Sequence, residues 1–379
     1  MPMEGGVQKN SKVENFIPSC DDLNYLVALN GSESFKRNFR MLFSHFKSLE
    51  RIYNATEDML NGVPGLAKQS VAALLRIRSK YKPGMGMERL QGKNVRLVTF
   101  WDEDYPDKMR EIELPPPLLY VKGEIKYDFD LSVAIVGTRQ TGNYGLDQSH
   151  RFGKKLAHLG FTIISGGAAG IDSKAHVGAL ESDGRTFAVF GCGIDISFPQ
   201  NHEKLFDRIT KNGALISEFP PGSPPEPYRF PLRNRIIAGM SRGVLVVQAP
   251  KKSGALITSE YANEMGREVM AIPGPVNNPK SEGSNQLICD GATMVQSPDD
   301  ILNIYKLMLC DRKEDIKLPN LDKGNRKIIE AIGWEPKHID EIAHELNVPV
   351  NILSGLMLRL HLDGYIKELS GKRYVRIAP

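Results

Sequence analysis

Val133-Ala-Ile-Val-Gly-Thr-Arg139 and, further on, Ser165-Gly-Gly-Ala-Ala-Gly-Ile-Asp172 each set a glycine-rich turn directly after a short apolar run. In a parallel α/β sheet such turns lie at the carboxyl ends of strands, where backbone N–H groups can meet phosphate. The pair predicts a Rossmann-like sheet that binds a phosphorylated ligand. Two common phosphate motifs fail here. Gly137, Gly142 and Gly145 run G-x4-G-x2-G, not G-x-G-x-x-G, which argues against a dinucleotide. Asn143 and Tyr144 follow Gly142 where a P-loop needs Lys and Ser/Thr, so an ATPase lacks its chemistry. The run Phe161 to Ile164 ends in Ser165 and not in an acidic residue that could take a ribose hydroxyl. A phosphate cradle remains, with Arg139 in its first turn.

Working outward, Val133–Val136, Phe161–Ile164, Thr186–Phe190, Ala214–Ser217, Gly243–Val247 and Glu268–Ile272 read as strands separated by helical stretches. Continuous Val/Ile-rich runs are what a parallel sheet covered on both faces requires. The loops after them, 137–145, 165–171, 191–201, 218–231, 249–254 and 273–286, should share one carboxyl edge. This Rossmann-like domain is placed at 95–310. Residues 1–94 read as a helical domain, with Asn61-Gly-Val-Pro-Gly-Leu66 as a turn like that of a sterile-alpha-motif or helix-hairpin-helix module. Residues 31–96 hold thirteen Lys/Arg against five Asp/Glu, compatible either with phosphate contact or with a solvated basic face. Tyr105-Pro106 and Pro115–Gly123 form an extended lead-in to the sheet. A linker is expected at 311–323. Within 324–379, three helical stretches (Asn325–Ile332, Ile339–Leu346, Val350–Leu362) and a hairpin make a winged helix. Its third helix offers only Arg359 and His361 to a groove, which favours a protein contact over base readout.

No apolar run approaches the roughly 20 residues of a membrane span, and no signal-like segment opens the chain. A cytoplasmic protein with no membrane contact is expected. Cys20, Cys192, Cys289 and Cys310 lack metal or disulfide spacing and read as thiols.

Between Glu226 and Glu260 no acidic residue occurs, while Arg229, Arg233, Arg235, Arg242, Lys251 and Lys252 do, with Tyr228 and Phe230 among them. Cations interleaved with aromatic faces are the ingredients of a single-strand groove. Some of these arginines could instead pair with internal carboxylates such as Asp172 and Glu218. Asp172 and His176 share a helix face, but a first-turn carboxylate caps N–H groups and His176 then satisfies a local hydrogen bond. Cys192 reads as a small residue in a tight turn. No cluster has metal spacing, and no metal, cofactor or catalytic residue is expected.

Ala134-Ile-Val-Gly-Thr-Arg139, Ser165–His176, Gly191-Cys-Gly193, Ser217-Glu-Phe-Pro220, Phe230-Pro-Leu-Arg-Asn-Arg-Ile-Ile237, Ser253-Gly-Ala-Leu-Ile-Thr258 and Ile272-Pro-Gly274 together closely resemble the bacterial DNA-processing protein A family (DprA/Smf) over roughly 95–300. The flanking modules fit its three-part layout. The resemblance implies a non-enzymatic single-stranded DNA-binding protein of natural transformation, acting as a homodimer, protecting incoming DNA and loading a RecA-type recombinase. It points to Arg139 and the Phe230–Arg235 motif as strand contacts. With the two turns, the expected set is Gly137, Thr138, Arg139, Ser165, Gly166, Gly167, Phe230, Arg233, Asn234, Arg235, Ser253 and Gly254. Two departures stand out. Gln200 follows Phe198-Pro199 where the family often has lysine, and Gln248 stands where Glu is common. A competing class is a nucleotide phosphoribohydrolase on a related fold. Gly166-Gly-Ala-Ala-Gly-Ile-Asp-Ser-Lys174 lacks that enzyme's catalytic acid.

Overall fold

The residues of Ser132–Val136 alternate between two separate cores, Val133 and Ile135 on one side, Ala134 and Val136 on the other. The same division splits Ile163 from Ile164, Leu245 from Val244 and Val246, and Met270 from Val269 and Ala271. A sheet buried on both faces follows from the continuous apolar runs, since every residue of a strand then faces a core. This geometry comes from a computed structural model describing residues 16–310, 323–362, 365–369 and 371–376.

The strands are β1 (Arg96–Thr99), β2 (Leu118–Gly123), β3 (Ser132–Val136), β4 (Thr162–Ser165), β5 (Thr186–Phe190), β6 (Gly213–Ser217), β7 (Gly243–Val246), β8 (Glu268–Ala271) and β9 (Thr293–Met294). They form one sheet in the order β1-β2-β6-β5-β4-β3-β7-β8-β9. From β6 to β9 neighbours are parallel, while β1 and β2 extend the sheet antiparallel. The six expected strands form within a residue or two of their expected bounds. The lead-in contributes β2, which pairs Tyr120 with Ser217. Because the chain runs β3 to β6 in one direction and then crosses back to β7, the strand order reverses between β3 and β7. Ligands of open α/β sheets bind at such a reversal, outside the carboxyl ends.

Helices Asn143–His158 and Ile171–Glu181 cover one face. They approach closely at glycines: a Cβ on Gly153 would come 2.4 Å from the Ala175 carbonyl, and one on Gly178 would come 2.3 Å from that of His150. The N-terminal helices Cys20–Leu29, Glu33–Phe46, Leu49–Asn54 and Lys68–Lys80 share the other core with the sheet. Ser19, Ser32 and Ser48 cap the first three with their hydroxyls. Phe39, Phe43, Phe100 and Trp101 interlock there, with ring centroids 4.8 to 6.4 Å apart. Contacts divide the chain once, after Tyr305, and not at 94/95 or 310. The expected linker lies outside the described residues up to 322.

The second unit has helices Lys323–Ile332, Ile339–Leu346 and Val350–Leu362 with strands β10 (Lys337–His338), β11 (Ile366–Leu369) and β12 (Arg373–Arg376), ordered β10-β12-β11. That is a winged helix with its own core of Ile329, Ile332, Ile342, Leu353 and Met357. The short β10 was not expected. The side chain of Arg359 lies outside those described.

Candidate nucleic-acid interface

A cleft of about 570 Å³ opens at the reversal between β3 and β7. Its lining comes from the loops after β3, β4, β5, β6 and β7 and from helix Arg229–Gly239: Gly137 to Gln140, Ala168, Phe198, Pro225, Pro227, Phe230, Arg233, Asn234, Pro250 and Lys252 to Gly254 among others. A smaller apolar hollow of about 200 Å³, lined also by Phe190, Gly191, Cys192 and Pro199, joins it at Arg139, Ala168, Phe198 and Phe230.

Arg139 is exposed and stands over the Phe230 ring, 4.6 Å from its centroid. Phe198, 38% exposed, packs against Phe230 at 5.6 Å. Phe230 is held from beneath by Gly191, where a Cβ would come 2.8 Å from the ring. Two aromatic faces and a guanidinium thus lie together at the mouth of the cleft. Tyr228, half exposed, is a third aromatic, at the start of the helix that carries Phe230. Lys252 lines the cleft and Lys251 is exposed beside it. None of Arg139, Lys251 and Lys252 makes an ion pair among the described residues. Ser253 caps helix Gly254–Glu264, accepting from the Ala255 N–H at 3.3 Å, so that helix begins at the cleft. A helix start favours anions.

Arg233 and Asn234 also line the cleft, but their polar groups, like those of Arg235, are engaged within the fold. Arg233, 4% exposed, donates through Nη1 to the Gly166 carbonyl at 2.8 Å and to that of Val189, and through Nε to Asn234 Oδ1 at 3.2 Å. Burial lowers its pKa to about 10 although Asp172 opposes that, so it stays charged as a strut between β4 and β5. Asn234 Nδ2 donates to the Gly254 carbonyl at 3.0 Å. Arg235, 8% exposed, pairs with buried Glu218, which also has Lys36 Nζ at 3.7 Å and whose carbonyl accepts from Asn30 Nδ2 at 2.8 Å. Arg242 pairs with Asp130 at 2.6 Å, and Arg229 with Glu226 at 3.6 Å. Four of the six cations between Glu226 and Glu260 therefore have partners within the chain, and three of them, Arg233, Arg235 and Arg242, are buried. Helix Arg229–Gly239 is sealed on nearly all sides, and a buried guanidinium is tolerated only where carbonyls or carboxylates take its protons.

The glycine cradle is likewise largely closed. The Thr138 N–H donates to the Gln248 carbonyl at 2.8 Å. The N–H groups of Gly166 and Ala168 donate to Asp172 Oδ2 at 3.1 and 3.4 Å. Ser165 Oγ donates to the Ile135 carbonyl at 2.6 Å. Gly137 is required because a Cβ would come 2.6 Å from Ile171 and 2.8 Å from the Gln248 carbonyl, and Gly166 because one would come 2.5 Å from Arg233. Gly167 has a positive φ of 69° that a glycine adopts readily. The glycines let loops pack on one another more than they open donors to phosphate.

Asp172 thus caps the turn before its helix rather than the helix itself. Burial raises its carboxyl pKa, and Arg233 works against that. His176 Nδ1 lies 2.7 Å from Thr186 Oγ1, and that hydroxyl donates to the Ile163 carbonyl at 2.8 Å. The hydroxyl must then accept from the ring, so Nδ1 carries the proton. Burial drives the imidazole pKa down to about 3. Burial pushes the Cys192 thiol up to about 11, which leaves it unionised. Gln248 accepts from Thr141 Oγ1 at 2.6 Å and donates to Ser281 Oγ at 3.0 Å, tying the loop after β3 to the far side of β7. Gln200 is exposed beyond the cleft lining. Phe198 was not expected as a site residue, although its place after β5 and before a proline was visible.

Among the described residues no group of His, Cys, Asp or Glu could hold a metal, and no helix is long and apolar enough to cross a membrane. Residues 96–306 match the family model of DNA recombination-mediator protein A, and 313–372 that of the DprA winged helix domain. The Smf protein of Synechocystis is 34% identical over 89% of this chain and 94% of its own length. The Smf protein of Escherichia coli is 37% identical over 76% and 79%. The X-ray structure of DNA processing protein A from Streptococcus pneumoniae superposes with a TM-score of 0.63 and 32% identity, covering 74% of this chain and 97% of that one. That of Helicobacter pylori, described for its single-stranded DNA binding mode, gives a TM-score of 0.51 at 30% identity, covering 57% and 96%.

Proposed function

The chain belongs to the DNA recombination-mediator protein A family, and we propose that it binds single-stranded DNA in the cleft between β3 and β7. The observation that carries this is Arg139 over Phe230, with Phe198 against the same ring and Lys252 lining the same cleft. Arg139, Lys251 and Lys252 meet phosphates, together with the start of helix Gly254–Glu264. Bases stack on Phe230, Phe198 or Tyr228, a contact that tolerates any sequence because every base has a π-face. Arg233 and Asn234, in the cleft wall, and Arg235, outside its lining, hold the loops in place.

The same reading makes the protein a mediator and not an enzyme. Asp172 is the one carboxylate lining the cleft, and its Oδ2 already accepts two N–H groups. A phosphoribohydrolase would have no acid to use. The chain protects incoming DNA in natural transformation, acts as a homodimer in the cytoplasm and loads a RecA-type recombinase. Family membership supports these roles.

The test is competition against labelled oligo-dT with single strand, duplex and mononucleotides across a salt series. Only single strands should compete, and more weakly as salt rises. Arg139→Ala should lower affinity and reduce the log–log salt slope by about 0.7. Equal competition by mononucleotides, with release of free base, would return the enzyme reading.

A further inference from the structure

Between Asp58 and Asp102 the chain carries eight basic residues and one acidic residue, Glu88. The cleft uses none of the eight. In the turn Asn61–Leu66 three N–H groups are already spent: Gly62 donates to Asp58, Val63 to Leu60 and Leu66 to Val63. The charge gathers at the other end of helix Lys68–Lys80. There Lys80, Lys82 and Arg89 line a hollow of about 140 Å³ with Pro220 and Pro221. All three cations are exposed and make no ion pair among the described residues.

Pro220 and Pro221 belong to the loop after β6, and the same loop lines the strand cleft at Pro225 and Pro227. Pro221 and Pro225 are four residues apart, so their Cα atoms are at most about 14 Å apart. The loop is fixed. Five prolines set its φ angles, and Asp195 accepts from the Gly222 N–H at 2.8 Å and from Lys93 Nζ at 3.0 Å. Arg89 lies against the loop, 3.4 Å from where a Gly222 Cβ would be.

We infer that Lys80, Lys82 and Arg89 form a second phosphate contact for the same single strand, reached by crossing the Pro220–Tyr228 loop from the cleft. The inference rests on the strand-binding reading of the cleft. Continuity through one short, fixed loop favours the strand as ligand over a separate acidic peptide. The polymer supplies its own next phosphates within reach, at an effective concentration that no second ligand matches.

The test uses the full chain with Lys80→Ala, Lys82→Ala and Arg89→Ala combined, all at exposed positions, against oligo-dT of about six and about twenty-five nucleotides, lengths bracketing one binding site and several. For the long oligomer the salt slope should fall by about 2, near 0.7 for each of three phosphates, and affinity about tenfold or more at low salt. The short oligomer should bind the variant and the parent alike. Parallel salt plots for the long oligomer would overturn the second contact and leave the cleft reading standing. Failure of the cleft itself has a different signature, unchanged binding of the short oligomer by Arg139→Ala.

Discussion

Arg235 Nη2 donates to Glu218 Oε2 with both side chains nearly shut from water, and Lys36 adds a second buried cation. Removing Arg235 leaves buried Glu218 facing only Lys36 at 3.7 Å, so the cost falls toward the lower end of the about 3–5 kcal/mol of an unpaired buried charge. Arg235→Ala should therefore lower the urea midpoint sharply. Retained stability would mean that the pair is solvated and Arg235 accessible to the strand after all. His176 makes a second prediction. Its folded pKa of about 3 lies below the unfolded value near 6.5. Between those values the unfolded chain holds one more proton than the native one, so stability falls as pH falls from about 6.5 toward 3, by up to about 1.4 kcal/mol per unit. Against pH, His176→Asn should show a flatter stability curve between pH 6 and 4, because an amide keeps the donor to Thr186 and does not titrate. Coincident slopes would show that the imidazole charges in the native state.

Helices Asn143–His158 and Ile171–Glu181 meet through glycine, and that contact fixes where Arg139 emerges, since the first helix begins just after the Arg139 turn. Gly153→Ala should cost about 1–3 kcal/mol by overpacking, because the new methyl meets backbone at Ala175 and cannot be accommodated by a side-chain rotation. A melt unchanged from the parent would show that the helices can part. At this scale the sequence was most legible. The parallel strands announce themselves as Val/Ile runs because both faces are buried, and the winged helix through helical periods ending in a hairpin. β1 was missed because Arg96–Thr99 is a four-residue edge strand with its first residue exposed, and β9 and β10 because two residues carry no period. For the arginines of Phe230–Arg235 the sequence allows two readings, strand contact or pairing with internal carboxylates such as Glu218, and Arg235 takes the second. Ser217-Glu-Phe-Pro220 held the warning: an acid directly after a buried strand needs a cation, and the next stretch of chain is full of them. Phe198 escaped because contact with Phe230 joins loops after different strands, which no local pattern shows.

The chain as a whole divides after Tyr305, and each unit has its own core. Every cation proposed to meet the strand, Arg139, Lys251 and Lys252 in the cleft and Lys80, Lys82 and Arg89 beyond it, belongs to the first unit. Residues 324–379 hold eight Lys/Arg against seven Asp/Glu, so they add little field to draw a polyanion. Deleting 318–379 should accordingly leave both the affinity for oligo-dT and its salt slope within error of the full chain, with the first unit's unfolding transition preserved. If deletion abolishes binding while that transition persists, the winged helix carries the DNA contact and the cleft does not suffice. Unchanged binding would leave the winged helix available for a protein contact, and a recombinase-loading assay on the same deletion then separates holding the strand from handing it over.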